Sequence, residues 1–112
     1  MSYRFYRDDD GVPRAETARG ERLLGRFLES DMQGSVGMCD EVLDVLDDIA
    51  AGRRQRWQRT GNAHTIFISK RRARIQAEFG RAVDLVLTPA ELRQALLGWK
   101  ALLGSRPPRR CR

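Results

Sequence analysis

Arginines dominate the middle of this 112-residue chain, where the stretch GRRQRWQRTG (residues 52–61) places four of them around a single tryptophan. Guanidinium groups bind phosphates through paired hydrogen bonds, and an exposed tryptophan can stack on a base. A second basic run follows at a predicted turn between two strands. We predict that both runs contact nucleic acid or another anionic partner. The predicted residues are Arg53, Arg54, Arg56, Arg59, Lys70, Arg71, Arg72 and Arg74.

A less specific interpretation of this stretch stays open. Arginine-rich turns are usually solvated, and a tryptophan is more often part of the core than exposed. We expect Trp57 to be anchored against the fold and the arginines around it to face water. The sequence matches no known DNA- or RNA-binding module.

Acidic residues are segregated from these basic runs. Residues 27–52 contain seven acidic residues and no basic one, whereas residues 53–81 contain nine basic residues and one acidic residue. The first segment is predicted to be an amphipathic helix whose acidic face is either solvated or docked on a basic surface of a protein partner. The residues predicted for such docking are Asp40, Glu41, Asp44, Asp47 and Asp48.

Residue types suited to catalysis or metal binding are sparse. One histidine (His64) and two cysteines cannot form a tetrahedral zinc site. The sequence contains no nucleotide-binding glycine loop and no nucleophile motif. We interpret His64 as a hydrogen-bonded strand residue and residues 8–10 as a solvated turn. We therefore predict a non-enzymatic protein with no catalytic residues, no cofactor and no bound metal.

The composition is typical of one small soluble domain, with 41% hydrophobic and 32% charged residues and a net charge of +6. Apolar runs fall short of the ~20 residues that cross a membrane, and no signal-peptide pattern occurs. Two cysteines in such a chain fit reduced thiols. We expect a cytoplasmic protein without membrane association, made of one domain (residues 1–104) and a flexible basic tail (residues 105–112).

The elements that position these residues are predicted to form an α+β fold. Tyr3–Tyr6 opens a hairpin that turns at residues 8–11, with Pro13 on an edge. Alternation predicts a third strand at residues 21–28, with a helix as the alternative. The predicted order is β-β-(β)-α-β-β-(β)-α, in which antiparallel hairpins or meanders pack against two amphipathic helices.

Capping signals mark the predicted helices. Ser30 and Gln33 form an S-x-x-Q box before the first helix, and Gly52 ends that helix. Thr88 and Glu91 form a T-x-x-E box before the second. Strands are predicted between the helices at residues 57–59, 64–68, 73–79 and 84–87.

Taken together, these segments resemble the YacL family of small bacterial proteins of unknown function. The similarity covers nearly the whole length. It is carried by Tyr3-x-Phe5-x-Arg7-Asp8 with Gly11-Val12, by Asp40-Glu41-Val42, by Trp57-Gln58-Arg59-x-Gly61 with Thr65, and by the closing amphipathic helix. The resemblance supports the predicted fold and implies no catalytic residues and no cofactor.

The segregated charge favours a small binding or accessory protein. We predict that it associates with nucleic-acid machinery such as RNA polymerase or the ribosome, through the basic turns, the acidic helix or both. Two alternatives stay open: direct, sequence-independent binding of RNA or DNA, and a structural homodimer that shares an apolar stripe or a sheet edge. The first two depend on folding that collects the basic turns on one open side, away from the acidic helix.

Overall fold

The computed structural model describes residues 2–32 and 35–104, so the predicted tail at residues 105–112 lies outside the described residues. The strands in this part of the chain are β1 (Tyr3–Arg7), β2 (Pro13–Thr17), β3 (Arg56–Thr60), β4 (His64–Ser69), β5 (Ala73–Ala77) and β6 (Leu85–Leu87). The α-helices are α1 (Arg22–Phe27), α2 (Val36–Ala50) and α3 (Pro89–Gly104). All strand pairs are antiparallel, which confirms the α+β class. No described helix has the length and apolar character needed to cross a membrane.

Strands β1 and β2 form the predicted hairpin as a separate two-stranded sheet. Its turn is built on Asp8, whose Oδ1 accepts hydrogen bonds from the backbone N–H groups of Val12 and Asp10, both at 2.9 Å. The bond from Val12 is the main reason that the pKa of Asp8 lies below its ordinary value. Asp8, the first residue of the acidic run, therefore stabilises the turn.

Residues 21–28 do not form the predicted third strand, and the helical alternative is correct. Leu23, Leu24, Phe27 and Leu28 are all buried. A strand would place Leu24 and Leu28 on the face opposite to Leu23 and Phe27. Only a helix places all four side chains on one side, because their spacing follows a period near 3.6.

Helix α2 begins later than predicted. Leu28–Met32 forms a π-helical segment that continues α1. The N-cap of α2 is Ser35, whose hydroxyl accepts a hydrogen bond at 3.1 Å from the backbone N–H three residues later. The capping role predicted for Ser30 is therefore wrong, and its partner Gln33 lies outside the described residues. The predicted end of the helix is confirmed, since Gly52 has φ of 78°, a conformation that glycine adopts without strain.

Strands β3 to β6 form a four-stranded meander in chain order. On its inner face, Ile66, Ile68, Ile75 and Leu87 belong to one buried cluster with the apolar faces of all three helices. Trp57 pairs with Ile68 across β3 and β4 and packs half-buried against this cluster. The tryptophan is thus anchored against the fold, as expected.

Strand β5 is shorter than predicted. It ends at Ala77, and Phe79 is 77% exposed although alternation assigns it to the buried face. Alternation fixes the direction of a side chain only while the chain stays in the sheet. The short strand predicted before the last helix is confirmed as β6.

The predicted capping box of α3 is confirmed. The Thr88 hydroxyl accepts a hydrogen bond from the Glu91 backbone N–H at 3.1 Å. The Glu91 carboxylate accepts one from the Thr88 backbone N–H at 2.8 Å. These reciprocal bonds fix the start of the helix that carries Trp99, a fully buried core residue.

We expect Thr88→Ala to lower the free energy of unfolding by about 1 kcal/mol, because it removes the acceptor for a helix N–H group. Urea denaturation measures this change. Thr88→Ser keeps the hydroxyl and is the matched control. An equal loss in both variants would show that the cap does not carry the effect.

Candidate nucleic-acid interface

Five of the eight predicted basic residues lie near one end of the four-stranded sheet. Arg56, in the first position of β3, pairs with Ser69, in the last position of β4. Residues 70–72 then form the turn to β5, closed by a 2.9 Å hydrogen bond from the Ser69 N–H to the Arg72 carbonyl. The start of β3 therefore lies beside this turn. We call the five residues the basic cluster: Arg54, Arg56, Lys70, Arg71 and Arg72.

All five residues of the basic cluster are exposed. None of them forms an ion pair with another residue in the described part of the chain. The other three predicted basic residues are each paired: Arg53 with Asp48 at 2.8 Å, Arg59 with Glu41 at 2.7 Å and Arg74 with Asp84 at 3.3 Å. The basic cluster is thus the part of the predicted set that keeps its charge available.

The acidic face of α2 is largely paired within the fold. Four of its five predicted residues form ion pairs: Asp40 with Lys100 at 2.5 Å, Glu41 with Arg59, Asp47 with Arg93 at 2.6 Å, and Asp48 with Arg53. The Asp40 carboxylate raises the pKa of Lys100 above its ordinary value. Exposed pairs of this kind add little stability, but they reduce the negative field that a basic partner would meet.

The outer face of the sheet carries a groove beside the basic cluster. Its central row of paired residues crosses all four strands and consists of Gln58, Phe67, Arg74 and Val86. The groove has a volume of about 530 Å³, and Arg56 and Arg72 also line it. Two members of the basic cluster therefore face the same space as an aromatic ring.

Phe67 was not among the residues predicted for the site, because it lies in a continuous apolar run. The signal was nevertheless present: Ile66 and Ile68 share one face of the strand, so the residue between them faces the other side. The guanidinium carbon of Arg74 lies 4.2 Å from the centre of the Phe67 ring. This is a cation–π contact.

A second cluster of polar residues, at the start of β4, connects the helical layer (α1, the π-helical segment and α2) to the sheet. Asp31 is 3% exposed, and its carboxylate accepts hydrogen bonds from the backbone N–H groups of Ala63 and His64, both at 3.1 Å. The Nδ1 atom of His64 lies 3.2 Å from Asp31 Oδ1 and 3.4 Å from the Ser30 hydroxyl. The hydrogen-bonded ring predicted for His64 is confirmed.

This group has the residue types of a serine–histidine–aspartate triad but not its geometry. In a triad the histidine bridges the serine and the aspartate through its two different nitrogens. Here Ser30 and Asp31 both approach the same nitrogen of His64. The arrangement therefore fastens the turn before β4 to the π-helical segment.

The close approach of the Asp31 carboxylate explains why the Trp57-Gln58-Arg59-x-Gly61 motif has glycine at residue 61. A Cβ atom at this position would lie 2.5 Å from Oδ2 of Asp31, too close for any side chain unless the carboxylate moved. Within the same motif, Trp57 packs on the inner face of the sheet, and Arg59 pairs with Glu41 of α2. The motif thus joins β3 to the helical layer.

Residues 2–32 and 35–104 contain no group of three or more histidine, cysteine, aspartate or glutamate side chains placed to hold a metal ion. Cys39 is a free thiol inside the core. Burial, aided by the nearby Asp40 carboxylate, raises the pKa of this thiol to about 11. Cys39 is therefore protonated at neutral pH and weakly nucleophilic.

Comparison with known proteins places these features in a family. A model described as an uncharacterised protein family (UPF0231) matches residues 1–88. A UPF0231 protein of Cronobacter sakazakii is 30% identical over 77 residues, 69% of this chain and 63% of the relative. The UPF0231 protein YacL of Escherichia coli is 26% identical over the same shares of both chains. A UPF0231 protein of Shewanella sp. (strain MR-4) is 28% identical over 116 residues, 88% of this chain and 94% of the relative.

The chain spans 63% of the length of the first two relatives. No solved structure matches it. The family match includes both sheets, helices α1 and α2 and the basic cluster. The resemblance to the YacL family is confirmed, and the chain belongs to the UPF0231 family of uncharacterised proteins.

Proposed function

We propose that this protein is a non-enzymatic binding protein of the cytoplasm that binds RNA through the basic cluster. One observation supports the proposal above the others. Five exposed cations near one end of a sheet have no ion pair in the described part of the chain, whereas four of the five acids on α2 are paired. Unpaired cations keep their attraction for phosphate groups.

The residue types in the basic cluster suit a phosphate backbone. Four of its five members are arginines, whose planar guanidinium groups bind phosphate oxygens two at a time. Backbone binding of this kind carries no base sequence information. It weakens steeply as salt rises, because each neutralised phosphate releases a counterion.

The same chemistry supports the predicted association with nucleic-acid machinery. A ribosome, or an RNA polymerase carrying a transcript, presents RNA phosphates to the basic cluster. Docking through α2 has weaker support, because only Asp44 of its five predicted acids has no ion pair in the described part of the chain. We therefore propose that this protein contacts such a complex through the basic cluster, which binds its RNA, and not through the acidic face of α2.

Fluorescence anisotropy with a labelled single-stranded RNA tests the proposal. We expect the affinity to fall more than tenfold as monovalent salt rises from about 50 to 200 mM. A double-stranded RNA of the same length should show a similar salt dependence, since it presents the same kind of backbone. Absence of binding at the lowest salt would refute the proposal.

A pull-down from cell extract, with and without ribonuclease, tests the association with machinery. Recovery of ribosomes or polymerase that disappears after ribonuclease treatment agrees with contact through RNA. Recovery that persists points instead to a protein partner. The homodimer alternative stays a prediction, and sedimentation that shows only monomer at high protein concentration would exclude it.

A further inference from the structure

Phe67 occupies an unusual place for a large apolar side chain. It points away from the core, on the outer face of the sheet, between Gln58 on β3 and Arg74 on β5. Phe67 is only half-buried. Val86, the next residue along the row, is 55% exposed. The groove floor is therefore an aromatic and aliphatic patch in contact with solvent.

Polar and charged residues surround this patch. Arg74 lies over the Phe67 ring, while Arg56 and Arg72 line the groove from the neighbouring row. Gln58 and Ser69 also border it. The groove, at about 530 Å³, falls within the range of roughly 300–1,000 Å³ typical of small-molecule sites.

A ligand that fits these walls is flat and apolar on its faces, polar at its edges and anionic beside the ring. An unpaired nucleobase with its attached phosphate has these properties. Aromatic rings and arginine guanidinium groups stack on bases, and side-chain amides and hydroxyls form hydrogen bonds with base edges. A base inside a duplex has both faces covered and cannot reach the groove floor.

We propose that the groove on the outer face of the sheet binds an unpaired base of single-stranded RNA. The base stacks on the Phe67–Arg74 pair, and Arg56 and Arg72 hold the phosphates on either side of it. This inference rests on the proposed function, since it assigns the basic cluster to the backbone and the groove to the base. It makes the protein selective for single strands.

Three RNA probes of equal length separate base from backbone: a single strand, a duplex and a single strand with abasic residues. We expect the wild-type protein to bind the normal single strand about tenfold more tightly than the abasic strand. Phe67→Leu should remove this difference and leave duplex binding unchanged. Phe67→Trp should preserve it, because indole stacks at least as well as benzene.

Phe79→Leu is the matched control, since Phe79 is 77% exposed in the loop after β5 and does not line the groove. Thermal unfolding of each variant verifies that the fold is intact.

The outcomes separate the two proposals. If all three probes bind equally and Phe67→Leu changes nothing, base stacking is overturned while backbone binding stands. If none of the probes binds, both proposals are overturned. A preference for the normal single strand that only Phe67→Leu removes supports the base site.

Discussion

We expect a quadruple variant that neutralises four arginines of the basic cluster to bind single-stranded RNA about a hundredfold more weakly at about 100 mM salt. The substitutions are Arg54→Gln, Arg56→Gln, Arg71→Gln and Arg72→Gln. These side chains are exposed and unpaired in the described part of the chain, so their removal breaks no internal ion pair. The loss should therefore appear in binding and not in stability.

The salt dependence gives a sharper measurement than the affinity alone. Each phosphate contact on a single strand contributes about −0.7 to the slope of log affinity against log salt. Losing four contacts should flatten that slope by about 3. Anisotropy titrations at several salt concentrations determine both quantities in one experiment.

A second quadruple variant controls for the change in net charge. It replaces four exposed arginines outside the basic cluster, and they are Arg19, Arg22, Arg26 and Arg81. Its net charge falls by the same amount, so a general electrostatic effect would weaken binding equally in both variants. Equal losses would contradict a localised site on the sheet.

How well the sequence predicts this fold depends on how much of the signal is local. The last helix was predicted correctly because Thr88 and Glu91 lie three residues apart and cap one another. The segment at residues 21–28 was not, because its α-helix has only six residues. Over so few residues, a period of two and a period of 3.6 both fit a mixture of leucine, glycine and arginine.

The candidate site was predictable in part for the same reason. Runs of arginine are visible in the sequence, but their pairing depends on tertiary contacts. Arg59, for example, meets Glu41, 18 residues earlier in the chain, only after α2 packs beside the sheet. The outward direction of Phe67 follows from alternation, whereas the exposure of the surface around it does not. The groove therefore emerges only from the assembled structure.

We expect Asp31→Ala to lower the free energy of unfolding by about 3 kcal/mol. The substitution leaves the buried N–H group of His64 and the part-buried N–H group of Ala63 without their acceptor, and an unsatisfied buried donor costs roughly 1–3 kcal/mol. Asp31→Asn keeps one acceptor oxygen but points an amide N–H₂ group at the other donor, so its loss should be intermediate. Urea denaturation gives all three values.

Asp44→Ala is the matched control for Asp31→Ala, because it removes the same charge from an exposed position. Its free energy of unfolding should stay within about 0.5 kcal/mol of the wild-type value. A loss in the control as large as that in Asp31→Ala would assign the effect to net charge and not to the buried hydrogen bonds.

Gly61→Ala should be destabilising only while the Asp31 carboxylate is present. In the wild-type background the added Cβ meets Oδ2 at 2.5 Å, and crowding of this kind costs about 1–3 kcal/mol. In the Asp31→Ala background the obstructing oxygen is gone, so the same substitution should cost close to nothing. A double-mutant cycle should then give a coupling free energy of at least about 1 kcal/mol.

The two possible reasons for the glycine predict different cycles. If Gly61 serves the close approach of the carboxylate, the cost of Gly61→Ala depends on residue 31. If the backbone conformation at residue 61 excludes a side chain, the cost is the same in both backgrounds and the coupling is zero. Gly61 is not among the described glycines with positive φ, which favours the first reason. The carboxylate would then explain why the motif that joins β3 to the helical layer ends in glycine.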